Sequence, residues 1–294
     1  MPQRRIQMNS KVDQFDFSDI DANFKNSLND FPKNKKVSPP LRYPGSKYRA
    51  SKHIMPFIQD VKHEEYREPF FGGGAIFFKK DLVDYNWIND IDEHLMCTYK
   101  VLSDKNSREI LINMLDSVET TKEYFNNLKK WSPETEIEIA FRYFVINRTA
   151  YSGIMKQPNF GFHATKSVQP EKWPERIRIA GEKLENAVIT CKHFKDVITT
   201  PTNRENVFMF VDPPYYKADQ KRAYLHSFKE ENHQELVELL KNTSYKFCLT
   251  YDNCEEIKEM YSWANIHEAS WMYHTANSNS TTRKMGKELI ITNY

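Results

Sequence analysis

The unbroken apolar run Val207-Phe208-Met209-Phe210-Val211, cut off by Asp212-Pro213-Pro214-Tyr215, constrains this chain more than any other feature. Consecutive large apolar residues with no polar alternation fit a short strand buried on both faces, as in a parallel sheet covered by helices. The two prolines end that strand. Each fixes its own φ, lacks an N–H and drives the preceding residue towards an extended conformation. An acid, a proline carbonyl and an aromatic ring are thereby held at the carboxyl end of a strand, the edge at which open α/β sheets bind ligands.

A second strand and turn lie upstream. A strand predicted to end at Glu68 runs into Pro69-Phe70-Phe71-Gly72-Gly73-Gly74, followed by a predicted helix opening at Ala75-Ile76-Phe77-Phe78. Glycines there let a backbone approach a ligand closely at a helix start. The next strand, Tyr85 to Asn89, ends at Asp90 and precedes a helix through Leu95 and Leu102. Asp90 can hold the two hydroxyls of a ribose, or it can cap the following helix. No Lys-Ser/Thr pair follows the glycines, which argues against a nucleoside-triphosphate loop. The turn Leu41 to Lys47 offers Tyr43 as a stacking ring and Lys47 as a partner for a carboxylate or phosphate, or it is an ordinary surface turn.

Between these α/β pieces the pattern becomes helical, around Ile110–Leu115, Tyr124–Leu128 and Ile137–Val145, and then enters a loop from Asn147 to His163. The α/β alternation resumes with Val188-Ile189-Thr190, a helix at Gln234–Leu240, a strand at Phe247–Thr250 and a last strand at Leu289–Thr292. The expected domains are a polar, mobile extension at 1–40, a catalytic α/β domain at 41–103 and 188–294, and an inserted helical domain at 104–187. The extension carries isolated Phe15, Phe17, Phe24 and Phe31 and the basic run Lys33 to Lys36, and Ser38-Pro39-Pro40 closes it like a linker. With 294 residues and a net charge of only +2, binding to nucleic acid does not follow from bulk charge; basic groups would have to gather on one face. The four cysteines, Cys97, Cys191, Cys248 and Cys254, form neither CxxC pairs nor a cluster with histidines, so reduced thiols, a cytoplasmic protein and no metal are expected. No apolar stretch is long enough to span a membrane.

The chemistry that suits Asp212, Pro213 and Tyr215 is methylation of an exocyclic amine on a nucleobase. Such an amine is a poor nucleophile because its lone pair is delocalised into the ring. A carboxylate and a carbonyl can hold both N–H groups and turn the lone pair out of plane, while an aromatic ring stacks on the base. Catalysis then comes from positioning and preorganised electrostatics. A proline-stiffened turn with no chemistry has the same four residues. The loop from Asn147 to Asn159 mixes basic, amide and aromatic groups suited to phosphates, base edges and an unstacked duplex.

In order along the chain stand LRYPGSK at 41–47, EPFFGGGAIFF at 68–78, NDID at 89–92, NRTAYSG at 147–153 and HF at 193–194. DPPY at 212–215, FKEENHQEL at 228–236 and RKMGKELIITNY at 283–294 complete the series. This series resembles the Dam-type, D12 class of N6-adenine-specific DNA methyltransferases from residue 41 to the end. The resemblance implies a Rossmann-like, seven-stranded mixed sheet of the S-adenosylmethionine-dependent methyltransferase type, with a mainly helical target-recognition domain inserted. It implies S-adenosylmethionine as methyl donor, and an adenine flipped out of double-stranded DNA as acceptor, since the amine is otherwise paired inside the duplex. Carried over by motif, Tyr43, Lys47, Glu68, Phe70, Gly72, Gly74, Asp90, Phe194 and Asp212 fall in the donor site. Asp212, Pro213, Pro214 and Tyr215 form the catalytic motif, and Arg148, Tyr151, Ser152, Lys156 and Asn159 the DNA contacts.

The chain departs from that pattern at several points. Ser46 stands where a second glycine is usual, and His193 where an Asp precedes Phe194 and reads the donor's adenine. Ser152 and Lys156 replace the Asn and Arg of GATC-reading members, and lysine does not reproduce arginine's two-pronged contact to guanine, so GATC is not assumed as the target. The expected role is a solitary or restriction-modification methylase, monomeric, with a cognate restriction endonuclease as partner in the second setting. Methylation of RNA adenine or of DNA cytosine at N4, and a non-catalytic DNA-binding relative, are the alternatives.

Overall fold

In the computed structural model, residues 31, 32, 35, 37–218, 227–272 and 285–294 are described. The expectations for Phe15, Phe17, Phe24, Lys33, Asn34 and Lys36 lie outside the described residues. Strands β1 (Glu65–Glu68), β2 (Tyr85–Asn89), β3 (Val188–Thr190), β4 (Val207–Val211), β5 (Lys246–Asp252), β6 (Asn265–Met272) and β7 (Met285–Thr292) form one sheet. Its order is β3-β2-β1-β4-β5-β7-β6. Strands β1 to β5 run parallel, and β7 is antiparallel to both β5 and β6. The mixed seven-stranded sheet is the one expected. Strand order reverses between β1 and β4, which pair Glu65 with Val207, Tyr66 with Phe208 and Arg67 with Met209. Ligands of open α/β sheets bind at such a switch point.

All five residues of β4 are buried. Phe208 and Phe210 join the core on one face, and Met209 and Val211 that on the other, as the period of two in a strand requires. β1 is central yet reads Glu65-Tyr66-Arg67-Glu68, all buried. Its charges are tolerated because they are satisfied. Arg67 donates to Glu65 Oε1 at 2.6 Å and to the carbonyls of Val197 and Thr200 at 2.7 Å, and its guanidinium lies over the rings of Trp87 and Tyr245. β6 was not legible as a strand. It has no clean alternation and forms at the sheet edge by pairing along its whole length with β7.

Among the described residues the α-helices are α1 (Ser51–Gln59), α2 (Glu93–Ser103), α3 (Lys105–Leu115), α4 (Lys122–Lys130), α5 (Glu136–Thr149), α6 (Trp173–Leu184), α7 (Phe194–Thr199), α8 (Glu230–Asn242) and α9 (Glu255–Met260). Side-chain caps fix several starts: Asp104 accepts from the Ser107 N–H, and Thr135 and Glu138 form a capping box on α5. The predicted helix at Ala75–Phe78 is instead a series of turns. The turns keep two helix-type bonds, from the Phe78 and Lys80 N–H groups to the Gly74 and Ile76 carbonyls at 2.9 Å, and Lys183 Nζ donates to the carbonyls of Phe78 and Lys80 at 3.3 and 2.5 Å.

The helical stretch at 104–187 shares its core with the sheet. Leu111, Phe144, Trp173 and Ile177 belong to the same buried cluster as Ile54, Phe77 and Ile88. Val37 and Leu41, 4% and 3% exposed, belong to it too, so the expected mobile extension gives way to packed chain before residue 40. No helix among the described residues is long and apolar enough to cross a membrane.

Candidate active site

After β1 the chain curls over the carboxyl edge of the sheet. The Phe71 N–H bonds to the Asn89 carbonyl at 2.8 Å, and Gly72 and Gly74 adopt φ of +46° and +62°. A side chain at Gly72 would meet the Tyr43 ring at 2.9 Å, and one at Gly74 the Phe71 ring at 2.4 Å. These glycines thus serve a left-handed turn and the close seating of two rings. Asp90 ties the turn down: its Oδ2 accepts the Gly72 N–H at 2.8 Å and its Oδ1 the Asp92 N–H at 3.1 Å. Burial pushes its carboxyl up to about 6, against those N–H groups and with the help of the Asp92 charge. The cap of α2 is Asp92, which accepts from His94 and Leu95.

Beside this turn, Asp212 leaves β4. Its Oδ1 is held by Lys47 Nζ at 2.8 Å and by Thr250 Oγ1, from β5, at 2.6 Å. Lys47 is 4% exposed, and its ammonium also lies 4.5 Å from the centre of the Tyr215 ring. Lys47 thus bridges the acid and the ring of the Asp212–Tyr215 motif, a role the sequence did not suggest for it. Pro213 is buried. Beyond the prolines, Asp252 accepts the N–H groups of Tyr216 and Lys217 at 3.0 and 2.8 Å, and the Tyr215 hydroxyl donates to Glu288 on β7.

The two turns enclose one cavity, of about 170 Å³. Every residue expected at the donor site lines it: Tyr43, Lys47, Glu68, Phe70, Gly72, Gly74, Asp90, Phe194 and Asp212, together with Pro214. Phe70 and Phe194 stack at 5.2 Å, and His193 flanks Phe194 at 4.2 Å. Ile91, 45% exposed, adds an apolar side chain to the same lining. It went unread in the sequence, although an apolar residue between two acids is a usable signal. Glu68 accepts from the Tyr66 hydroxyl at 2.8 Å, and burial holds its carboxyl well above the ordinary range. Thr250, Asp252 and Glu288 were also missed; they reach the motif from other strands, and only strand register brings them there.

A model of the D12 class N6 adenine-specific DNA methyltransferases matches residues 43–275. The chain belongs to this family. Among its relatives are three Type II methyltransferases, each 25% identical. M.CviBI of Paramecium bursaria Chlorella virus NC1A aligns over 76% of this chain and 86% of its own. M1.LlaDCHI of Lactococcus lactis subsp. cremoris aligns over 91% and 99%, and M.MjaIII of Methanocaldococcus jannaschii over 88% and 99%.

In this D12 methyltransferase the expected DNA contacts separate into two groups. Arg148 is not in the loop. It closes α5, is 5% exposed and donates to the Pro40 carbonyl at 3.5 Å, and burial lowers its pKa to about 9. Asn147 is fully buried and clasps Arg42 through both backbone groups. The loop itself begins at Ala150, which bridges to Phe160. Tyr151 is 58% exposed and Asn159 is exposed, with Ser152 and Lys156 half-buried between them. Ser152 sits at φ +54°, a left-handed conformation that asparagine adopts more readily than serine. Gly153 and Met155 carry the loop to the cavity wall.

Proposed function

We propose that the protein is a site-specific DNA methyltransferase that transfers a methyl group from S-adenosylmethionine to N6 of an adenine flipped out of double-stranded DNA. The observation that carries this reading is the meeting of the glycine turn with Asp212 and Pro214 in one cavity at the switch between β1 and β4, with Pro213 and Tyr215 adjoining them in the chain. The lining fits the donor. Asp90 offers a carboxylate for ribose hydroxyls, the Phe70–Phe194 pair and Ile91 offer apolar surface for a purine, and the Tyr43-covered glycine turn shapes the floor. Bound there, S-adenosylmethionine supplies an electrophilic methyl on a sulfonium.

The chain's own residues prepare the acceptor. Lys47 and Thr250 fix the rotation of the Asp212 carboxylate by holding Oδ1. Asp212 and the Pro213 carbonyl take the two N–H groups of the amine, which frees its lone pair for in-line attack. Tyr215 stacks on the base. After transfer the nitrogen carries an extra proton, which passes to water or to Asp212. The segment at 104–187, with Tyr151, Ser152, Lys156 and Asn159, reads the target, in a solitary or a restriction-modification setting.

The test is sequencing for modified bases in DNA from methylation-free cells expressing the chain, beside an Asp212→Ala control. N6-methyladenine at one short motif, absent from the control, is the expected result. An equally active Asp212→Ala variant would sink the mechanism. Methylated cytosine N4 or RNA adenine would move the substrate, and donor binding without any product would identify a non-catalytic relative.

A further inference from the structure

Two acids of the C-terminal half face each other across β5 and β7: Asp252 pairs with Glu288 in the antiparallel register. Like charges directly opposite each other destabilise a sheet. Here both carboxylates are turned to one purpose, the chain leaving the two prolines. Asp252 accepts the N–H groups of Tyr216 and Lys217, and Glu288 accepts the hydroxyl of Tyr215. Glu288 is 1% exposed, so it holds the ring from inside the protein. The Lys47 ammonium lies over the ring and Tyr251 packs at 6.0 Å, so hydroxyl, face and flank of Tyr215 are each engaged.

We infer that Glu288 is a positioning residue for methyl transfer, setting the pitch of the Tyr215 ring against the target base, with Asp252 fixing the backbone on which that ring is mounted. This rests on the proposed function for the role of Tyr215. It makes the antiparallel strand β7 part of the acceptor site, although no residue of that strand is expected to touch donor or base. A ring free to swing would still stack, but out of register with Asp212, and misplacement on the scale of 1 Å costs rate steeply.

The test is a double-mutant cycle on the full-length protein with Tyr215→Phe and Glu288→Leu, beside Glu288→Gln, whose amide oxygen still accepts from a phenol. Each of the first two variants is expected to lose about 10- to 100-fold in kcat with unchanged S-adenosylmethionine affinity. The double variant should be no slower than the worse single one, and Glu288→Gln should stay within about threefold of wild type. Multiplying losses, a fully active Glu288→Leu, or lost donor affinity in that variant would overturn the inference. The same cycle is read in urea unfolding, where coupling between the two positions is expected and strict additivity would also overturn it. A wild-type protein without methyl transfer would defeat the proposed function instead, and the unfolding cycle would still judge the anchor.

Discussion

Asp90 ties down the glycine turn and is also the residue proposed to hold the donor's ribose. Its oxygens hold the glycine turn in place, and burial raises its pKa from 3.8 to about 6. A carboxyl raised on folding costs stability as pH climbs from the unfolded value through the folded one, because the folded state holds its proton longer. A ligand whose hydroxyls donate to the carboxylate favours the ionised form, lowers that pKa and releases a proton on binding. S-adenosylmethionine affinity should therefore rise with pH through about 6 and level off above it, about tenfold weaker at pH 5 than on the plateau. Calorimetry across pH 5 to 8 checks this, with Asp90→Asn expected to flatten the profile. A flat wild-type profile would remove Asp90 from the donor. The ribose role of Asp90 was suggested by its place after β2; its grip on Gly72 was not, because a hydrogen bond between residues eighteen apart, across a turn and a strand, has no pattern in sequence.

Among elements, the join between α5 and the segment entering the site is the least expected. The Asn147 amide accepts the Arg42 N–H at 2.8 Å and donates to the Arg42 and Gly153 carbonyls at 2.7 and 3.2 Å, so one side chain ties the helix, the segment at Arg42 and the loop after Ala150. Asn147→Ala leaves these backbone groups without that partner and should cost about 2–4 kcal/mol, measured by urea unfolding. A loss below about 1 kcal/mol would mean that water replaces the amide. Read along the sequence, Asn147 opens a loop running to Asn159 whose basic, amide and aromatic groups have the composition of a binding loop. Composition does not say where a helix ends, and α5 runs on through Thr149. β4 was legible for the opposite reason: its apolar run and its prolines are local signals that packing confirms. β6 is set by its pairing with β7, a partner outside its own segment.

At the scale of the whole molecule, the sheet order explains why motifs separated by more than a hundred residues lie together: β1 and β4 are neighbours at the reversal point. The charge is less obliging, since +2 spread over 294 residues gives little general attraction for DNA. Binding must then rest on a few placed cations, with Arg148 withdrawn into the core and Lys156 in the same loop as the exposed Tyr151. Each neutralised phosphate contributes about −0.9 to the slope of log affinity against log salt, so about five contacts would give a slope of about −4 to −5. If Lys156 makes one of them, Lys156→Ala should weaken binding to all duplexes and make that slope shallower by about one unit. Arg148→Lys should leave the slope unchanged, since its head group lies inside. Titrations of a labelled duplex between 50 and 200 mM salt, a range over which such contacts respond strongly, separate these cases. An unchanged slope in Lys156→Ala would place the DNA on another face, and a slope altered by Arg148→Lys would mean that α5 opens when DNA binds.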